Sequence, residues 1–194
     1  MKIYFVLAFV TTATAFAQPA APYEPITKSE RWKEFAKDNF TSPGAYFSAL
    51  GPAIGAQIKN EPPEWGQGVK GYAHRAGYYY GMSIIDSSIR HSTAAAFGHD
   101  VRYERATKKG ILPRTKHAIS RGFVTRNSEG KLVPYISNFM GSYGGGMLST
   151  YMLPDRYDPL KRGLQQGHLL FAANTGGNIL REFAPEIKKL FRRR

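Results

Sequence analysis

The residues most suggestive of chemistry stand in FGHDVRYERATKKG, 97 to 110, where His99 adjoins Asp100 and four basic side chains follow by Lys109. An imidazole beside a carboxylate is the kind of donor pair a metal-dependent phosphohydrolase uses. Such a site needs a further His upstream and a further Asp downstream. His74 or His91, and Asp155 or Asp158, are the available nominees, and no spacing rule selects among them. The same residues have a purely local reading. Asp100 can cap a helix over VRYERATKK by accepting free N–H groups of its first turn. Glu104 and Lys108 then pair at i,i+4, Lys108 and Lys109 complement the negative helix end, and Gly110 closes it. The local reading is the expected one. A metal-assisted phosphate-ester hydrolase using His99 and Asp100 is the alternative.

Other chemistries fare worse. Ser120-Arg121 resembles the start of an acid-phosphatase motif, but the His needed six residues after the arginine is Asn127, and no PSGH is present. No G-x-S-x-G marks a nucleophile elbow. Glycines 144 to 146 are not followed by GK[ST], so they form no phosphate loop. The five histidines (His74, His91, His99, His117, His168) are never paired at i,i+3 or i,i+4, and each reads as a hydrogen-bonding residue, His168 as a core one. Glu61, Glu64 and Glu182 are available to glycosidase chemistry without being singled out by any pattern. No metal set and no cofactor is expected.

The basic cluster remains. Between 102 and 131 stand nine Lys and Arg, against Glu104 and Glu129. The candidate anion-binding residues are Arg102, Arg105, Lys108, Lys109, Arg114, Lys116 and Arg121, with Tyr103 and Phe123 as interfacial aromatics. Their partners would be anionic lipid head groups or lipopolysaccharide phosphates. The plainer reading is a solvated surface. No nucleic-acid module is recognisable.

The elements that must position these residues are helical. MKIYFVLAFVTTATAFA, 1–17, has the charged start, short apolar run and small-x-small end of a signal peptide. Residues 18–28 read as a disordered leader, and 29–194 as a single helical domain. An exported chain, periplasmic or peripheral to an envelope membrane, is expected. It has no cysteine, so it uses neither disulfides nor thiolate chemistry. Its formal net charge of +13 seeks anions.

Amphipathic helices are expected over 29–40 (Ser29 as cap; Trp32, Phe35 and Ala36 on one face) and from Ser42-Pro43 to 60. The second has an apolar stripe of Phe47, Leu50, Ile54 and Ile58, and Gly51 and Gly55 for a close partner. The longest pattern, 71–98, places Tyr78, Met82, Ile85, Ile89 and Ala96 together, with Asp86 and Arg90 paired at i,i+4. RNSEGK, 126–131, is a turn. Residues 135–153 put Ile136, Met140, Tyr143, Met147 and Tyr151 on one side and leave Gly141 and Gly145 for close packing. A helix from Asp158-Pro159 to about Phe183 and a separate piece, PEIKKLFRRR, end the chain.

The glycines and tyrosines also admit a small outer-membrane β-barrel, but period-2 alternation is poor and the caps are helical. A four-span inner-membrane topology would place the basic 102–131 loop outside, against the positive-inside rule. The fold class is therefore all-α, a compact multi-helix bundle with close-packed Gly/Ala helices.

PEWGQGVKGYAHRAG, GHDVRYERATKKG, PRTKHAISRGFVTR and NILREFAPEI, in that order, resemble a family of exported bacterial proteins to which no activity is attached. The resemblance covers roughly residues 43 to 188. It implies export and a common fold, and no reaction. The expected function is that of an exported envelope protein, non-enzymatic, with a basic face for anionic lipid or polymer.

Overall fold

The computed structural model describes residues 23–192. The expected signal peptide and residues 18–22 lie outside them. Among the described residues the helices are α1 (Lys28–Ala36), α2 (Pro43–Ile58), α3 (Gly68–Ala96), α4 (Ile111–Ser120), α5 (Ile136–Ser149) and α6 (Pro159–Arg192). A two-stranded antiparallel hairpin, β1 (Val124–Arg126) and β2 (Leu132–Pro134), pairs Thr125 with Val133. α3 is the axis: α2 and α5 pack along it, and α6 packs on α5. The chain is an all-α bundle, as expected.

Local chemistry sets the boundaries. Thr27, not Ser29, caps α1, in a capping box with Glu30. A π-helical turn, Lys37–Thr41, follows and gives way to Ser42, whose Oγ accepts the Ala45 N–H. The leader expected to end at 28 is already placed from Tyr23, whose hydroxyl donates to Asp100 at 2.8 Å. Asp158 caps α6 through the Lys161 N–H at 2.6 Å. α6 then runs on through Pro185 to Arg192, so PEIKKLFRRR is no separate element. The expected RNSEGK turn is the hairpin loop, closed by the Asn127 Oδ1, which accepts the Glu129 and Lys131 N–H groups.

One expected apolar stripe faces outward, and a second does so in part. α2 buries Ala45, Ala49, Ala53 and Ala56 and exposes Phe47, Leu50, Ile54 and Ile58. α5 buries Ser137, Asn138, Gly141, Ser142, Gly145, Gly146 and Ser149; of its expected stripe Ile136 and Met140, and Tyr151 just beyond its end, lie outside, whereas Tyr143 and Met147 are half-buried against Gly167 and Gly163 of α6. The reason is closeness of approach. A Cβ on Gly145 would lie 2.8 Å from Asp86 Cα, and one on Gly141 2.7 Å from Arg90 Cβ, so only glycine lets α5 lie against α3. Ala49, Ala53 and Ala56 of α2 pack in one cluster with Tyr78, Tyr79 and Met82 of α3. Gly51 and Gly55 have nothing within 4 Å, so the partner expected there is not supplied by the described residues.

The interior is correspondingly polar. Arg75 is wholly buried, and its guanidinium donates to the carbonyls of Glu61, Pro62 and Gly66 and to the side chains of Gln57 and Asn60. That one side chain ties the PEWGQG turn to α3. No described helix is long and apolar enough to cross a membrane.

Candidate functional site

The basic segment is not a helix. Residues 101–110 have neither helical nor strand pairing, and α4 begins only at Ile111, with Gly110 (φ 98°) at its start rather than at the end of a preceding helix. The reason lies in what the two acids do. Asp100 accepts from the Arg102 N–H at 2.9 Å and from the Arg102 guanidinium at 2.7 Å, which folds the chain back on itself. Glu104 does not pair with Lys108. It bonds Arg126 at 2.8 Å and Arg121 at 3.2 Å.

The segment is held by an acid that no local pattern marks. Glu182 on α6 is 1% exposed. It accepts from Tyr103 Oη at 2.8 Å, from the Ala106 N–H at 3.0 Å and from Arg114 Nε at 2.7 Å. Burial opposes its ionisation. The Arg114 hydrogen bond, with those from Ala106 and Tyr103, outweighs burial and holds its carboxyl below the usual range. The same contact, added to burial, pushes the Tyr103 hydroxyl pKa upward. Tyr103 is therefore a strut and not an interfacial aromatic. Phe123 packs against Phe139 and Phe171.

The seven candidate cations divide into two sets. Arg102, Arg114 and Arg121 are structural: they pair with Asp100 and Glu30, with Glu182 and Glu186, and with Glu104. Arg121 is also buried. Arg105, Lys108, Lys109 and Lys116 are exposed and enter no ion pair among the described residues. Arg105, Lys108 and Lys116 line a depression of about 570 Å³ with His117, Ser120 and Arg126, and Glu104 is its one acid. Leu112, 65% exposed, also lines it, and its chain neighbour Ile111 is 77% exposed. Cations around two bare aliphatic side chains can hold an anionic group while the aliphatics enter an apolar medium.

His99 and Asp100 do not converge. His99 Nδ1 lies 2.6 Å from Ser137 Oγ, its ring lies against Phe97 and Tyr135, and Asp100 faces Arg102 and Tyr23. His74 meets Trp65, His91 meets Asp38, and Asp158 is a cap. Among the described residues no three His, Asp or Glu side chains are grouped to hold a metal ion. His168 is exposed, edge-on to Tyr143, and not in the core. Glu61 and Glu64 are tied to Arg156.

A second cleft, of about 860 Å³, lies between α2 and α6. Asp86, Ser87, Asn138 and Asn174 are among its lining residues, together with Phe47, Leu180 and the root of the basic segment at Arg102 and Tyr103. At one end Asp38 is bonded to Arg90 (3.2 Å), His91 (3.3 Å) and Arg181 (2.8 Å). Burial disfavours the Asp38 carboxylate, but the His91 hydrogen bond and the charges of Arg90 and Arg181 hold its pKa far below the usual range. Burial pushes Asp86 the other way, with Arg90 opposing. Sequence reading found the Asp86–Arg90 pair, now seen buried at 3.9 Å, and missed Asp38, whose partners lie 52 and 143 residues away.

Comparison with protein-family models, with curated proteins and with solved structures finds no match.

Proposed function

We propose that this chain is a non-enzymatic envelope protein that docks on anionic lipid head groups through segment 105–116, lipopolysaccharide phosphates offering the same chemistry. The observation that carries the reading is the division of labour among the cations. Three arginines are consumed in fixing the segment, and four neighbouring cations are left unpaired around Ile111 and Leu112. A merely solvated basic surface gives no reason for buried carboxylates to brace it, nor for two large aliphatics at its tip. The signal-like residues 1–17 support export to a compartment where such lipids are met.

The test is cosedimentation with phosphatidylglycerol vesicles at low and high salt, with phosphatidylcholine vesicles as the neutral control. Each lysine near an anionic surface contributes about 1 kcal/mol. Replacing Lys108, Lys109 and Lys116 together by Ala is expected to weaken binding about a hundredfold. Because none of the three is ion-paired, the unfolding midpoint should stay where it was. Binding unchanged in the triple variant, or equal on neutral vesicles, would sink the reading.

A further inference from the structure

We infer that the outward face of α2 is an in-plane insertion surface, and that its occupant is the acyl boundary of the anionic bilayer on which segment 105–116 docks. The inference rests on that docking reading. The α2 sequence PGAYFSALGPAIGAQI contains no charged residue. Phe47, Leu50, Ile54 and Ile58, spaced by three and four, form one stripe of about 16 Å. They are 72%, 39%, 52% and 80% exposed. Nothing among the described residues covers them, and Gly51 and Gly55 between them face open space.

Three observations select lipid as the occupant. The first is the packing style. α2 and α5 turn Ala, Gly, Ser and Asn inward and leave large apolar side chains outside, which is how helices associate where the surroundings are as apolar as leucine. The second is charge. At +13 two copies of the chain repel, whereas an anionic bilayer attracts it. Lys59, exposed just past the C-terminal end of α2, can reach back to head groups. The third is continuity, since Phe47 lines the same cleft as Arg102 and Tyr103, where the basic segment is rooted. Sixteen residues are too few to span a bilayer, so the helix lies in its surface.

The chain has no cysteine, so a single Ile54→Cys takes an environment-sensitive nitrobenzoxadiazole label at one known place. On phosphatidylglycerol vesicles the label should shift to the blue, brighten, and be quenched by lipids brominated near the head-group end of the acyl chain. The same label on Asp155→Cys, at an exposed site in another loop, should report water throughout. Phe47→Ser/Ile54→Ser should still bind at low salt and unfold at the parent midpoint, but lose the fraction that survives a high-salt wash. If the protein cosediments while the Ile54 label stays in water, the insertion is wrong and the docking stands. If the triple lysine variant binds like the parent, the docking is wrong. A label already shielded without vesicles, with a dimer mass in solution, would overturn the inference in favour of a second copy.

Discussion

Glu182→Ala should release the basic segment while leaving the bundle folded. Residues 101–110 make no helix and no ladder, so their position depends on side chains, and three hydrogen bonds converge on the Glu182 carboxylate. A hydrogen bond to a charged group contributes about 1.5–3 kcal/mol, and stranding a buried charge costs about 3–5 kcal/mol. The lower end applies here. Arg114 keeps Glu186 and the main-chain oxygen of Glu182, and its side chain is 19% exposed, so water can reach it. A loss of about 3 kcal/mol is expected, against a total of about 5–15 kcal/mol for a typical domain. With a urea slope of about 2 kcal/mol/M the midpoint falls by about 1.5 M. The same loss should speed hydrogen exchange at the Ala106 amide about a hundredfold by local opening. The pH dependence has a definite sign. The Glu182 carboxyl is held below its free value, so its contribution is complete above the unfolded pKa of about 4.3 and fades as pH falls through the folded one. The difference between parent and variant should therefore shrink as the solution is made acid. A midpoint within 0.5 M of the parent, a flat difference across pH, or unchanged Ala106 exchange would refute the assignment of Glu182 as the brace.

Three further outcomes follow from the packing. Asp38→Asn weakens a buried carboxylate shared by Arg90, His91 and Arg181 and should cost about 3 kcal/mol in urea unfolding, again with the deficit shrinking in acid. Gly145→Ala would put a Cβ 2.8–2.9 Å from Asp86 backbone atoms and should cost about 1–3 kcal/mol, whereas Gly55→Ala meets nothing and should stabilise by about 0.5–1 kcal/mol; opposite signs in thermal unfolding are the check. Arg75→Lys keeps the charge but cannot reach five acceptors at once, and should lose about 2–4 kcal/mol with faster exchange in the 60–66 turn.

What could be read from the sequence was whatever depends on neighbours in the chain. Ser42-Pro43 and Asp158-Pro159 start helices because a cap needs only the next three residues. The Asp86–Arg90 spacing survives for the same reason, and so does the Asn127 turn. Failure came where a distant partner decides. Asp100 looked like a helix cap, and its carboxylate is taken instead by Arg102 and by Tyr23, 77 residues away. Gly110 looked like a helix end, and it begins the next helix. Glu182 had no visible role because its partners stand 68 to 79 residues away.

The inverted stripes are a different kind of failure, and they carry more physical content. An amphipathic pattern points inward only if water is the solvent on every side and the bundle prefers volume to proximity. On α2 and α5 proximity wins. Glycine, alanine and serine bring backbones close enough for the Asn174 amide of α6 to donate to Asp86 of α3 and to Asn138 and Ser142 of α5. Large side chains on those faces would push the helices apart and strand the polar groups. Once the small faces are committed to one another, the α2 stripe and the Ile136 and Met140 end of the α5 stripe have no place inside. The formal charge of +13 and the bare aliphatics of α2 both fit the anionic bilayer proposed above as the partner of this surface.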